Sequence, residues 1–335
     1  MQETPFMGPS LCSKGSWGKP LKPRFFFFPI IKKTTRGTHM DALDLVSNKK
    51  ISCLDKGFVE LVDVMPRIVP DGQTCDYAIC QMARLSYQHG TKTVNEDKGL
   101  LNLLMRNSHT SPFESIEIKL NIKMPIFVSR QFSRHRTSSQ NELSARYSIM
   151  KDEFYFPEAD DLRKQSNSNK QGSEGNIEEI QAAVFAEGIK SQCNSAYELY
   201  LRMLDAGVTR EQARMILPVN LYTQFYWKQN LHNMLHLLAL RMDHHAQYEI
   251  QVYANAMYEI IKHLCPWTIE AFDKYHPLRG AAKLTSLECD AIKKHNLRRE
   301  MNRDADWIGQ IDSENKREKA EWVTKAKELG FNILD

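Results

Sequence analysis

The stretch SIEIKLNIKMP, residues 115–125, decides the fold of this chain. Apolar side chains occupy every second position from Ile116 to Met124, and charged or amide side chains fill the positions between them. A period of two puts the apolar residues on one face of a β-strand, so the strand belongs to a sheet with one buried and one wet face. Pro125 ends the strand because proline cannot donate a hydrogen bond to a neighbour.

Helical patterns surround this strand. Apolar residues at helical spacing predict helices over residues 76–87, 100–104, 126–135, 177–206 and 231–264. Asp76 and Thr209 are expected to cap the helices that they begin, and Gly207 to cap the end of the 177–206 helix. Short strands are predicted at 51–54 and 58–64, on either side of a turn. The pattern predicts an α+β fold, with an antiparallel or mixed sheet packed against long helices in a single domain.

The bulk composition is that of an ordinary globular protein, with 42% hydrophobic and 26% charged residues among 335. The formal net charge of +4 is mild for a dedicated nucleic-acid binder. No apolar run approaches the roughly 20 residues that span a bilayer. The seven cysteines are scattered without a CxxC pair. We therefore expect reduced thiols in an intracellular, cytoplasmic protein without a membrane anchor.

Composition divides the chain into three parts. Residues 1–49 are a basic leader in which the first forty residues carry a single acid, Glu3. This leader is compatible with an organellar transit peptide, with a disordered segment, or with a translation start at Met40. Residues 50–276 form the predicted domain, in which the polar, Gly- and Ser-rich stretch 163–175 is expected to be a flexible insertion. Residues 277–335 are expected to form a charged, partly helical extension.

Arginine is concentrated between residues 130 and 147. Arg134, His135 and Arg136 are consecutive, Arg130 and Arg146 flank them, and no lysine occurs in this stretch. The planar guanidinium binds phosphate and carboxylate through two parallel hydrogen bonds, so a choice of arginine alone favours recognition of fixed anions. The interleaved hydroxyl and amide side chains suit sugar hydroxyls and base edges. The stretch therefore predicts a nucleotide site.

The sequence RHRTSSQNELSARYS, residues 134–148, resembles the signature of the flavin-dependent thymidylate synthases. The resemblance extends over residues 51–276 through the segments 54–61, 109–114, 214–218, 220–223, 240–241, 245–249 and 265–267. It implies that dUMP receives a methylene from methylenetetrahydrofolate, that reduced FAD supplies the hydride, and that NADPH reduces FAD. It also implies a homotetramer whose active sites are shared between subunits.

The resemblance also implies roles for individual residues. The catalytic residues would be Arg241, beside the deprotonated uracil, and Ser144, near the ring. The dUMP-binding residues would be Gln131, Phe132, Ser133, Arg134, Glu142, Leu143, Ser144, Ala145, Arg146, Arg214 and Arg241. The FAD-binding residues would be Ser111, Arg134, His135, Arg136, Glu142, Asn230, Leu231, His232 and His236, supported by His109 and Glu114.

Other readings of these residues remain open. His232 and His236 have the i, i+4 spacing of zinc ligands, but no third ligand is evident, and no metal is expected. Ser144 lacks the GxSxG elbow of a hydrolase. Cys265 has no basic neighbour that would activate a nucleophile, so we expect it to be structural. From another class, an arginine-rich nucleic-acid-binding module without activity would bind polynucleotides with a steep salt dependence.

Overall fold

The strand predicted around residues 115–125 lies at the centre of a five-stranded sheet. The computed structural model describes residues 39–85, 94–167, 172–276, 284–301, 307–309, 311, 316–329 and 332–334. Their strands are β1 (His39–Asp41), β2 (Lys50–Cys53), β3 (Gly57–Met65), β4 (Ile68–Pro70), β5 (Glu117–Pro125), β6 (Ser139–Glu142), β7 (Arg163–Gln165), β8 (Ser173–Asn176), β9 (Tyr222–Asn230), β10 (Trp307–Gly309) and β11 (Asn332–Leu334). Their α-helices are α1 (Asp76–Leu85), α2 (Val94–Arg106), α3 (Ile126–Phe132), α4 (Glu179–Asp205), α5 (Arg210–Ala213), α6 (Leu231–Arg241), α7 (Tyr248–Leu264), α8 (Pro266–Tyr275), α9 (Ser286–Met301) and α10 (Lys316–Glu328).

The main sheet has the order β2-β3-β5-β9-β6, and every neighbouring pair is antiparallel. Strand β5 pairs with β9 along its whole length, from Glu117 opposite Asn230 to Pro125 opposite Tyr222. Its alternate apolar side chains are buried, whereas Lys119 on the other face is exposed. The predicted α+β fold with a sheet against long helices is therefore confirmed, and the main sheet is purely antiparallel.

Helix α7 packs on the buried face of the sheet against β2 and β3. Its Tyr253 is fully buried and donates a hydrogen bond from the hydroxyl to the carbonyl of Lys123, at 2.8 Å. Gly57, at the start of β3, permits this contact, because a Cβ atom there would lie 2.0 Å from the Tyr253 hydroxyl. The helix and the sheet edge are thus in direct contact.

The single long helix predicted over residues 231–264 is wrong. Helix α6 ends at Arg241, and α7 begins only at Tyr248. The Asp243 carboxylate accepts a hydrogen bond from the backbone N–H of His245 at 2.8 Å, a local bond that competes with helix continuation. The break makes Arg241 the last residue of its helix. Helix α3 likewise ends at Phe132, so the basic triplet follows the helix instead of belonging to it.

Two predicted helix caps differ in the structure. The Asp76 carboxylate accepts bonds from the backbone N–H groups of Trp267 (2.8 Å) and Thr268 (3.1 Å), so it caps α8 and not its own helix. Thr209 precedes α5 without a side-chain cap bond, and it is the Thr209 carbonyl that accepts from the N–H of Gln212. The cap at Gly207 is confirmed by its φ of +84° and its N–H bond to Leu204.

The described residues include parts of all three segments outside the predicted core. Ordered structure begins earlier than Lys50, because β1 pairs with β4 from His39 onward. Residues 1–38 of the leader lie outside the described part of the chain. In the stretch 163–175, β7 pairs antiparallel with β8, and residues 168–171 lie outside the described part of the chain. Helices α9 and α10 belong to the predicted extension and bury Trp322 against Ala291 and Ile311.

The three-part division of the chain stays a prediction. Among the described helices, none is long and apolar enough to cross a membrane.

Candidate active site

The basic triplet lies between helix α3 and β6, the edge strand of the main sheet. Phe132, the last residue of α3, is fully buried, with its ring 5.9 Å from that of Trp227 and 6.4 Å from that of Phe225. This packing anchors the chain just before the triplet. Arg134 and Arg136 are exposed and form no ion pair with any described residue. Their guanidinium groups are therefore free to bind an external anion.

His135 lies between the two arginines and is buried. Nε of Arg241 donates a hydrogen bond to its Nε2 at 3.2 Å, and its ring centroid lies 6.4 Å from that of His236. Burial lowers the pKa of His135 to about 4, and the charges of Arg241 and His236 act in the same direction. The imidazole is consequently neutral near pH 7. Partial burial lowers the pKa of Arg241, which remains a cation because an arginine pKa starts so high.

Gln131 is joined to the turn that follows Arg241. Its side-chain amide donates a hydrogen bond to the carbonyl oxygen of the Gln247 side chain. Gln247 was not among the predicted site residues. Its only signal in the sequence is its position inside the stretch 245–249, which carries part of the family resemblance.

The predicted residues around Ser144 form a separate group. Arg146 binds the Glu211 carboxylate from Nε at 3.1 Å and from Nη2 at 3.0 Å. Arg210 donates to the carbonyl of Tyr147 at 3.2 Å, and Arg214 begins the 3₁₀ turn after α5. Within the described parts of the chain, no hydrogen bond, ion pair or ring contact joins this group to Arg241.

Other predicted dUMP residues have local contacts. Glu142 accepts a bond from the Thr223 hydroxyl at 2.6 Å, and the Ser133 hydroxyl donates to the carbonyl of Arg130 at 2.8 Å. Ala145 is partly buried against Met150 and its neighbours, whereas Leu143 is 46% exposed. Phe132 has its side chain in the core, so only its backbone is left for a ligand.

A cavity of about 250 Å³ is lined by two of the three histidines predicted to bind flavin, His232 and His236, whereas His135 is not in its lining. Its lining includes His109, His232, His236, His276 and Arg106. His276, which directly follows α8, was missed because no pattern marks a lone residue after a helix. Burial lowers the pKa of His276, and the charge of His236 adds to the effect. The imidazoles can donate or accept hydrogen bonds and the guanidinium can donate them, which suits a polar, anionic ligand.

The remaining predicted flavin residues are close in sequence to residues that line this cavity. Ser111 and Glu114 are exposed in the 3₁₀ turn Ser111–Ser115. Asn230 caps α6 by accepting the N–H of Asn233 at 2.9 Å. Leu231 is fully buried and donates its N–H to the carbonyl of Ile116.

Metal ligands are sparse in the described residues. Among the described residues, one group of three or more His, Cys, Asp or Glu side chains has its ligand atoms within 4.8 Å of one another. It consists of Asp243, His244 and His245, in the turn between α6 and α7. The i, i+4 pair His232 and His236 is not part of such a set. The expectation that the protein binds no metal stays a prediction.

Comparisons with known proteins match the same regions. Residues 67–267 match the family model described as thymidylate synthase complementing protein. A flavin-dependent thymidylate synthase of Dictyostelium discoideum is 48% identical over 239 residues, which cover 71% of this chain and 78% of the relative. A counterpart from Thermus thermophilus is 52% identical over 231 residues, which cover 69% of this chain and 80% of the relative.

Solved structures also match. A crystal structure of the UMP/dUMP methylase PolB from Streptomyces cacaoi, bound with 5-Br dUMP, has a TM-score of 0.59 and 32% sequence identity. The match covers 67% of this chain and 98% of that chain. The likeness therefore includes nearly all of the compared enzyme and about two thirds of this chain.

Proposed function

The chain belongs to the family of flavin-dependent thymidylate synthases, and from this premise we propose that Arg241 and His135 form the centre of its dUMP site. The protein is a methyltransferase that makes dTMP from dUMP. Bound FAD supplies the hydride, NADPH reduces the flavin, and methylenetetrahydrofolate supplies the one-carbon unit. The observation that carries the residue assignment is the hydrogen bond from Arg241 to His135.

Arg241 would stabilise the negative charge that the uracil ring carries during the reaction. Its Nε is held by His135, and no described residue bonds its two Nη groups. A preorganised, partly buried guanidinium of this kind stabilises developing charge more than a mobile one in water. His135, being neutral, orients this cation without repelling it.

Arg134 and Arg136 would bind the phosphate groups of dUMP and FAD. Both are exposed and lack an acidic partner among the described residues. One guanidinium group can donate two parallel hydrogen bonds to two oxygens of a phosphate. Two arginines on one turn, without an acidic partner, could therefore bind two phosphate-bearing ligands. His232, His236 and His109, which line the 250 Å³ cavity, fit the polar edge of the flavin.

The protein is proposed to act as a homotetramer with shared sites. Ser144, Arg146 and Arg214 have no described contact with Arg241, although all four are assigned to one substrate. Large apolar side chains near Ser144 and on α4 are exposed, namely Tyr147 (77%), Ile149 (53%), Met215 (73%), Ile180 (74%) and Val184 (64%). Burial against another copy would stabilise these side chains. The group around Ser144 would then complete the site of a neighbouring subunit.

Subunit mixing tests this assembly. Arg214→Ala and Arg241→Ala are each expected to be inactive, and a mixture of the two is expected to recover part of the activity. Recovery occurs because some mixed sites contain both arginines. If exchange of tagged subunits is demonstrated and no activity returns, the shared site is wrong.

The function is tested by Arg241→Ala in the full chain. We expect dTMP formation to be lost while the yellow flavin spectrum and the thermal unfolding midpoint are retained. Arg67→Ala, which removes a surface cation paired with Asp41 and Asp63, is the matched control and should stay active. Full activity of Arg241→Ala would remove Arg241 from the mechanism.

The absence of nucleic-acid binding is part of the same proposal. Competition of polynucleotides with FAD, measured at two salt concentrations, tests it. Tight, salt-dependent polynucleotide binding that displaces FAD would favour the arginine-rich binding module instead.

A further inference from the structure

Gln229 is a buried amide on β9 that contacts the turn after the basic triplet. Its side chain is 1% exposed, and its Nε2 lies 2.8 Å from the hydroxyl of Thr137. Thr137 directly follows Arg136. A buried amide without hydrogen bonds is unfavourable, so the bond to Thr137 stabilises Gln229 as well as the turn.

Gln229 lies too deep to bind a ligand itself. The second polar atom of its amide, Oε1, is buried and has no partner among the described residues. If the amide is turned over, the Thr137 hydroxyl donates to Oε1 instead, and the same two residues stay paired. In both orientations Gln229 reaches the surface site only through Thr137.

Two other side-chain hydrogen bonds involve this turn. Ser138 donates its hydroxyl to the carbonyl of His135, at 2.8 Å, so this bond stays within the turn. Arg241 connects the turn to α6 through His135. The bond from Gln229 to Thr137 joins the turn to the central sheet, across 92 positions of the chain. Among the described residues, it is thus the side-chain hydrogen bond that joins the turn after the triplet to β9.

We propose that Gln229 is a positioning residue that acts through Thr137 on Arg134, His135 and Arg136. This inference rests on the proposed function, in which the triplet binds FAD and dUMP. Gln229 holds the turn on the sheet, and the sheet is more rigid than the turn. The guanidinium groups therefore keep the spacing that the phosphate groups require.

The test uses Thr137→Val, which removes the hydroxyl at an exposed position and keeps the side-chain shape. Holoprotein is diluted, and the fluorescence of released FAD gives the dissociation constant. Loss of one net hydrogen bond predicts FAD binding about fivefold weaker, and the Gln229 amide, left buried without this partner, should also lower the unfolding midpoint. Thr137→Ser keeps the hydroxyl and should restore binding, which a loss of packing would not explain.

Gln229→Met removes the amide from the other side of the bond. It should weaken FAD binding to a similar extent, and the double variant with Thr137→Val should be no weaker than either single variant. Effects that add would show that Gln229 acts elsewhere and would overturn the proposal. Thr324→Val is the control, because its hydroxyl bonds only the Ala320 carbonyl in α10.

Arg136→Ala separates this inference from the proposed function. If Arg136→Ala leaves FAD binding unchanged, the ligand assignment of the triplet is wrong. If Arg136→Ala weakens binding and Thr137→Val does not, the ligand assignment stands and the positioning role of Gln229 is wrong. Weakening by both, with rescue by Thr137→Ser, supports the proposal.

Discussion

Nε of Arg241 donates to Nε2 of His135 across 3.2 Å, so this imidazole is held with its proton on Nδ1. Protonation of Nε2 would break the bond and place two cations side by side. The hydrogen bond between the predicted substrate residue and the predicted flavin residue therefore exists only while His135 is neutral.

Stability should depend on pH through His135. Its folded pKa of about 4 lies below the ordinary value of 6.5, so the unfolded chain binds more protons in this interval. Its contribution to stability is present above pH 6.5 and is lost as the pH falls towards 4. His135→Gln should flatten the rise of the urea midpoint between pH 4.5 and 6.5. His263→Gln, at an exposed position of α7, should leave the slope unchanged, and an unchanged slope in His135→Gln would contradict the assignment.

Cys265→Ser should retain dTMP formation. Burial raises the pKa of this thiol well above its usual range, and the neighbouring Cys75 and Asp76 raise it further, so little thiolate forms. Replacing a buried thiol with a hydroxyl should lower the free energy of unfolding by about 1–3 kcal/mol. Steady-state turnover and urea unfolding separate the two effects. Cys289→Ser, at a less buried position, is the control, and a folded but inactive Cys265→Ser would reopen a cysteine nucleophile.

Asp76→Asn should destabilise the fold. The two carboxylate oxygens accept bonds from the N–H groups of Trp267 and Thr268 and from the Thr268 hydroxyl. An asparagine amide turns one acceptor into a donor that faces an N–H group, which predicts a loss of about 1–3 kcal/mol in the free energy of unfolding. Urea denaturation measures it beside Asp71→Asn, in an exposed turn. Equal midpoints for the two variants would show that the cap contributes nothing.

Gly57→Ala and Gly99→Ala should act in opposite directions. A Cβ atom at position 57 would lie 2.0 Å from the Tyr253 hydroxyl and 2.7 Å from the carbonyl of Cys53, so α7 or the sheet edge must move. A Cβ atom at position 99, in α2, meets nothing within 4 Å, and alanine there should stabilise by about 0.5–1 kcal/mol. The thermal unfolding midpoints of both variants test these two expectations. An unchanged midpoint for Gly57→Ala would show that Tyr253 and the sheet edge can shift to admit the Cβ atom.

Local patterns predicted the regular parts of the fold. The alternation in β5 depends only on neighbouring residues, and both the strand and its buried face are confirmed. The break between α6 and α7 could not be read in this way, because apolar spacing continues through it. In this break the Asp243 carboxylate accepts a hydrogen bond from the backbone N–H of His245, a contact that apolar spacing does not reveal.

The site was predicted through its motifs and not through its contacts. Arg134 and Arg136 are recognisable in the sequence because they are consecutive with a histidine. The bond from Gln131 to Gln247 spans 116 positions, and that from Gln229 to Thr137 spans 92. Such pairs depend on the register of strands and on a helix break, which no local pattern encodes.

The cap provided by Asp76 also makes two backbone amides informative about the whole fold. It joins the start of α1 to the start of α8, across 191 and 192 positions. The N–H groups of Trp267 and Thr268 can exchange with solvent only when these distant parts of the chain separate. Their hydrogen exchange should therefore follow global unfolding and not local fraying, so that two amides report on the integrity of the catalytic core.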